Sequence, residues 1–432
     1  MKYISSRDKN HKVSFEEAVK RGLAPNKGLY MPEHYIQMDN DFWANLFDMS
    51  LPEIGYYVGK QYVDGEIPDN DFKALCNEVL NFDIPLVMVS ENVYSLELFH
   101  GPTCAFKDVG ARFMARCLGY FSQKNKEKTV ILVATSGDTG SAVARGFLNV
   151  PGVDVIILYP SGKVSEIQEK QLTTNGGNIT ALEVNGVFDD CQRLVKTAFA
   201  NFDTKGRFHL TSANSINIAR LIPQSFYYYY AVAQAKDYDT AICVPSGNFG
   251  NLTGGILAWK SGLQVKQFVA ATNINDTVPN YLESGIYTPK PSKQTISNAM
   301  DVGDPSNFER LEIIFDRDSK KMHKTIEGYS FTDDQTRKKM QQVKDLYGYT
   351  LDPHGAVGYL GIEKYLASNP GTKGIFLETA HPAKFLDVVK EVTGKSPDLP
   401  ENLQACMKKS KQSIKIDNKY EDLAQILTEK YL

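Results

Sequence analysis

At 432 residues and a formal net charge of −3, the chain is long enough for two or three domains. It is not basic enough for nucleic acid or an anionic membrane surface to be its main partner. Hydrophobic residues make up 42% and charged residues 23%, the balance of a globular protein with sizeable cores. The six cysteines (Cys76, Cys104, Cys117, Cys191, Cys243 and Cys406) form no C-x-x-C pair and scatter along the chain. That pattern argues against a zinc ribbon or disulfide scaffold and suits a reducing compartment.

The polar stretch Met1–Ser14 is followed by no secretory apolar core, and no apolar run reaches spanning length, so a cytoplasmic enzyme is expected. Ser14-Phe15-Glu16-Glu17 reads as a capping box opening a helix over 15–21 that ends at Gly22. Residues 39–64 and 70–81 carry aromatic, Leu and Ile residues at helical spacing, so residues 1–80 form an all-helical or mixed N-terminal domain.

From residue 85 short β-rich runs alternate with longer helical ones. Strands are expected at 85–89, 93–99, 129–134, 154–159, 179–184, 208–211, 240–244, 266–271 and 374–378. Helices are expected at 109–121, 139–149, 165–175, 188–201, 215–236, 250–261 and 354–367. Runs such as Val130-Ile131-Leu132-Val133 and Val155-Ile156-Ile157-Leu158 suit strands covered on both faces. The fold class is therefore α/β, with two open, mostly parallel sheet domains, helices on both faces and the active site between them. We expect a smaller domain over 108–212 and a larger one from 81–107 with 213–432. Ligands in such sheets bind at the carboxyl ends of strands. The polar, Pro/Asn-rich stretch 272–310 reads as an excursion serving that site, and Phe226-Tyr227-Tyr228-Tyr229-Tyr230 as helix packing.

Three segments carry chemistry. In Ala105-Phe106-Lys107-Asp108 a lysine stands among small and apolar residues at the mouth of a helix. Desolvation there disfavours the ammonium form and leaves an amine fit to form a Schiff base with a carbonyl cofactor. Pro245-Ser246-Gly247-Asn248-Phe249-Gly250-Asn251 follows a strand and precedes a helix, where converging N–H groups and the helix dipole suit a monophosphate. It has neither the Walker lysine nor G-x-G-x-x-G, and a plain strand-to-helix turn accounts for it equally well. Ala134-Thr135-Ser136-Gly137-Asp138-Thr139-Gly140 occupies another strand-to-helix junction, with hydroxyls and amides suited to a carboxylate; alternatively Ser136 or Thr139 simply caps the helix.

Taken in order with His100–Asp108, Asn214–Arg220, Met300–Asn307, Asp352–His354 and Thr379–Phe385, these segments resemble the tryptophan-synthase-β-like (fold type II) family of pyridoxal-phosphate enzymes. Within it they are similar to the short-chain, threonine-forming branch, whose N-terminal unit the stretch Gly28–Pro32 also resembles. The resemblance implies a lyase that turns O-phospho-L-homoserine and water into L-threonine and phosphate. It implies pyridoxal 5′-phosphate on Lys107, the catalytic residue. It further implies that Gly247, Asn248, Phe249, Gly250 and Asn251 hold the cofactor phosphate, and that Thr379 stands by the pyridine nitrogen. Thr103, Ser136, Gly137 and Thr139 on one side and Asn214, Ser215 and Arg220 on the other are implied as substrate ligands. Asp138 replaces the Asn that other branches place by the cofactor 3′ oxygen, where a carboxylate repels a phenolate unless one of them holds a proton. The competing enzyme reading is a threonine/serine dehydratase or cysteine-synthase-like relative; the competing non-enzyme reading is a silent binder of phosphorylated ligands. A small-molecule substrate, no metal, no nucleic acid, no membrane and a monomeric or homodimeric state complete the expectation.

Overall fold

The computed structural model describes residues 1–432. The N-terminal stretch is mixed rather than helical. Strands β1 (Tyr3–Ser5), β2 (Asp8–Val13) and β3 (Tyr30–Pro32) make a small antiparallel sheet in the order β2-β1-β3. The helix Phe15–Arg21 has Ser14 as its cap, but Glu17 does not close the box. The N–H groups of Phe15 and Glu16 donate instead to the Glu66 carboxylate. The expected long helix over 39–64 is broken into Asn40–Asn45, a short 3₁₀ turn and Leu51–Val63. Ser50 and Glu53 form a full capping box there, with Pro52 in the first turn, where its missing N–H costs nothing.

Strands β4 (Leu86–Ser90) and β5 (Val93–Glu97) come next, and then β6 (Thr129–Ala134), β7 (Val153–Pro160), β8 (Ile179–Asn185) and β9 (His209–Thr211). They are followed by β10 (Thr240–Pro245), β11 (Gln267–Thr272), β12 (Ile326–Ser330), β13 (Lys373–Glu378) and β14 (Ile414–Asp417). Two open sheets result. One runs β12-β11-β10-β13-β5-β4, parallel except for β4; the other runs β14-β8-β7-β6-β9 and is wholly parallel. Both faces of each are covered. Ile242 and Val244 of β10 enter one core while Ala241 and Cys243 enter another. Ile131 and Val133 of β6 likewise part from Val130 and Leu132. With side chains alternating at period two, continuous apolar runs are what such strands require.

Two departures from expectation matter. Strand β12 and its flanking helices Ser319–Thr325 and Asp333–Tyr347 lie in a stretch too polar to read as core. Strand β14 pairs with β8, so the last part of the chain returns to the five-stranded sheet instead of staying with the larger unit.

Candidate active site

The three chemistry-bearing segments and Thr379 leave the carboxyl ends of parallel strands: residues 98–107 follow β5, 135–139 follow β6, 246–251 follow β10 and Thr379 follows β13. Lys107 is the first residue of the helix Lys107–Asn125. Its approach is stitched to β13 by the N–H of Phe106 donating to the Thr379 carbonyl (2.9 Å) and by an Ala105–Ala380 bridge. Its side chain is 17% exposed, and its Nζ stands 3.8 Å from Asp138 Oδ2. Burial lowers the pKa of this amine, while Asp138 pulls the other way and Lys384 and Arg220 add to the lowering.

Asp138 is held as a carboxylate by donors of the protein itself. Its Oδ1 accepts from Lys384 Nζ (2.7 Å) and from Gln168 Nε2 (3.0 Å). Burial opposes its charge, but Lys384 and Lys107 outweigh that, and the carboxyl is held well below the usual range and stays ionised. Lys384 itself is fully buried and also donates to the Thr103 carbonyl at 2.9 Å. Sequence reasoning gave it no role; the available signal was a single lysine in the apolar run Ala380-His381-Pro382-Ala383-Lys384-Phe385 directly after a buried strand.

In the loop after β6, neither Ser136 nor Thr139 caps the helix. Thr135 does, its Oγ1 accepting from the N–H of Gly137 (3.0 Å) and of Gly140 (2.9 Å). Ser136 is exposed and Thr139 half-buried, and neither hydroxyl has a partner in the protein. Gly137 has φ 145°, a region that disfavours any side chain, and a Cβ there would lie 2.5 Å from Gln168. Thr103 departs from its implied role: its N–H and hydroxyl both donate to Asp108, at 2.8 and 2.7 Å, so its side chain is committed to holding the start of the Lys107 helix.

The loop after β10 presents open donors. The N–H groups of Gly247, Asn248, Phe249, Gly250, Asn251 and Leu252 find no acceptor in the protein, and the helix Gly250–Lys260 begins there, with Phe249 in the left-handed region (φ 58°). Asn251 Oδ1 accepts from the hydroxyls of Tyr227 (2.7 Å) and Tyr228 (2.8 Å), leaving its buried Nδ2 without a partner. The tyrosine run is helix packing as read, and two of its hydroxyls also orient this loop. Asn248 donates to Ser215 Oγ (2.7 Å) and accepts from the N–H of Ser306 (2.6 Å). The excursion after β11 comes down on the loop, where a Cβ on Gly247 would fall 2.7 Å from the Ala299 carbonyl oxygen. His354 holds that excursion: its Nε2 accepts from the N–H of Ala299 (3.2 Å) and its Nδ1 donates to Asp352 (2.6 Å).

Asn214 and Ser215 sit beside this loop, the former with a buried Oδ1 that has no partner. Arg220 is 2% exposed, donates through Nη1 to the Ala213 carbonyl and has an unpaired Nε. Burial brings its guanidinium down to about 10, so it is charged at neutral pH. Its field reaches Lys107.

A buried amine of lowered pKa at one strand end, a loop of unpaired N–H donors with a buried unpaired amide at another strand end of the same sheet, and a buried arginine with an unpaired Nε fit a phosphorylated carbonyl cofactor. The comparisons agree. Residues 88–375 match the family model for pyridoxal-phosphate dependent enzymes, and the chain belongs to that family. Residues 2–80 and 355–427 match the models for the threonine synthase N terminus and C-terminal region. The chain is 44% identical to threonine synthase of Escherichia coli over 93% of its own length and 94% of that protein's. The yeast enzyme from Saccharomyces cerevisiae is 36% identical, over 90% of this chain and 88% of that one. The crystal structure of E. coli threonine synthase superposes with a TM-score of 0.91 over 99% of this chain and all of that one, and the pyridoxal-phosphate-bound threonine synthase of Brucella melitensis with 0.93 over 99% of each. Within the pyridoxal-phosphate enzymes the chain is a member of the threonine synthases. No helix is long and apolar enough to cross a membrane.

Proposed function

We propose that the chain converts O-phospho-L-homoserine and water to L-threonine and inorganic phosphate. The observation that carries this reading is Lys107, an amine buried at the strand ends of a fold whose loops after β6 and β10 keep most of their N–H donors without a partner in the protein. Pyridoxal phosphate, when bound, supplies the electron sink that makes the substrate's Cα and Cβ protons removable. Lys107 would hold the cofactor through Nζ, and that nitrogen, as the free amine once substrate has taken its place, would move protons at Cα and Cβ, for which an amine of lowered pKa is suited. Gly247–Asn251 would take the cofactor phosphate, and Thr379 the pyridine edge. The free N–H and hydroxyl groups at Ser136–Thr139 would take the substrate carboxylate, and Arg220 with Asn214 and Ser215 the substrate phosphate. Arg220 suits that task because a planar fork makes paired, charge-assisted bonds to phosphate oxygens.

Two anion sites on separate βα units fix the substrate by its ends and leave its middle carbons over the reacting centre. The smaller unit over 108–212 would close against the larger one to keep water out until phosphate has left. The purified protein should release phosphate and form threonine from O-phosphohomoserine in equal amounts. Lys107→Ala should abolish both, together with the long-wavelength cofactor absorbance. Ammonia and a keto acid in place of threonine would identify a dehydratase, and a colourless wild-type protein a silent relative.

A further inference from the structure

The pair Lys384–Asp138 has no place in the chemistry above, yet it is among the most buried ion pairs of the molecule. Lys384 is 0% exposed and Asp138 5% exposed in their side chains, and burying two charges is unfavourable unless the geometry is good and the remaining polar atoms are satisfied. Here they are. Asp138 Oδ1 takes Lys384 and Gln168, and Lys384 also donates to the Thr103 carbonyl. With Oδ1 held by two donors, Oδ2 is left facing Lys107 at 3.8 Å, too far for a hydrogen bond and close enough for its charge to be felt. The pair also links the two sheets, since Asp138 opens the helix after β6 and Lys384 follows β13.

We propose that Lys384 is a positioning residue for Lys107: it anchors the Asp138 carboxylate so that this counter-charge stands near the amine without capturing it. The inference rests on Lys107 being the cofactor-bearing amine. A carboxylate free to rotate would close onto Lys107, hold its proton and withdraw it from covalent chemistry. Lys384 prevents this by competing for the same carboxylate. The other groups felt by Lys107 are Arg220 and Asp352; those felt around Lys384 are Asp108, Cys104, Cys406 and His381. None of them bonds Asp138 Oδ1.

The test is the pH dependence of the rate at which the cofactor-free full-length protein captures added pyridoxal 5′-phosphate, followed by its absorbance band. Borohydride reduction and peptide mass mapping locate the adduct. Lys384→Met should move the profile to higher pH by about one unit, a roughly tenfold slower capture on its acid limb. Asp138→Asn should move it to lower pH, and Lys384→Arg should leave it near that of the wild type. In an Asp138→Asn background, Lys384→Met should shift the profile by much less, because no carboxylate remains to be held. An unmoved profile in Lys384→Met overturns the proposal, as does a shift in the same direction as Asp138→Asn. An equal shift with and without the carboxylate also overturns it, since Lys384 would then act on the amine by its charge alone. Should Lys384→Met not fold, the Lys384→Arg profile and the double variant decide. An adduct mapping to a lysine other than Lys107 in the wild type would instead overturn the cofactor-anchor reading, a separate outcome.

Discussion

Glu378 and Asp352 are two neighbouring carboxyl groups, each 0% exposed. Asp352 Oδ1 accepts from the N–H of Gly355 (2.6 Å) and its Oδ2 from His354, so both of its oxygens have donors. Glu378 accepts only the N–H of Asp352 (2.8 Å), and its Oε2 is buried without a partner. Burial, and the neighbouring Asp352 charge after it, push the Glu378 carboxyl far above the usual carboxylate range, so it is neutral. A folded-state pKa raised above the unfolded one means that the native state binds more protons. Stability then falls as pH rises above the unfolded value of about 4.3. Glu378→Gln, which carries no proton to lose, should flatten that slope. The variant should match or exceed the wild type in urea midpoint at pH 7, with the advantage disappearing toward pH 4. A variant weaker at pH 7 than at pH 4 would show that Glu378 is ionised in the native state.

At the scale of elements, the candidate site is built at strand-to-helix junctions, and what shapes each junction comes from elsewhere in the chain. The loop at Gly247–Asn251 stood out in the sequence by two glycines between a strand and a helix, and the loop after β6 by its hydroxyls. Their supports did not. Thr135 caps its helix from inside the strand end, and Tyr227 and Tyr228 reach Asn251 from a helix some twenty residues upstream. Local pattern carries no record of such long-range partners. Because Asn251 Oδ1 has two donors, Tyr227→Phe or Tyr228→Phe alone should cost little. The double variant leaves a buried carbonyl oxygen unpaired, a loss of about 1–3 kcal/mol. Its loop should then hold pyridoxal 5′-phosphate more weakly, with the excess over the summed single variants measured by cofactor titration of the cofactor-free protein. Strict additivity would mean that the two tyrosines do not act on one acceptor.

For the molecule as a whole, apolar periodicity made most of the parallel strands and their flanking helices readable, because strands covered on both faces leave continuous hydrophobic runs. Edges were harder. The N-terminal sheet, β12 and β14 are short or half-exposed, and strand pairing supplies in backbone hydrogen bonds what their composition lacks. The same physics hid the return of the chain to the five-stranded sheet. Strand β14 adds to β8 in parallel, and the helix Tyr420–Tyr431 places Leu423 and Leu427, both 0% exposed, among Cys191, Leu194 and Ala198. Lys411 fastens the approach by bridging Glu169 (2.6 Å) and Glu183 (2.8 Å); burial alone would push the Glu183 carboxyl up, but Lys411, Ser161 and Ser413 hold it down at about 2. Deleting residues 414–432 uncovers the β8 edge and forfeits the burial of two leucines, about 1.5–3 kcal/mol each. We expect the truncated protein to melt at lower temperature and to be cut first by protease within 179–201, while the loop at Gly247–Asn251, built on the other sheet, loses stability later. Early cleavage in the six-stranded sheet instead would mean that β14 and its helix stabilise the molecule through the interface between the sheets and not through the sheet they complete.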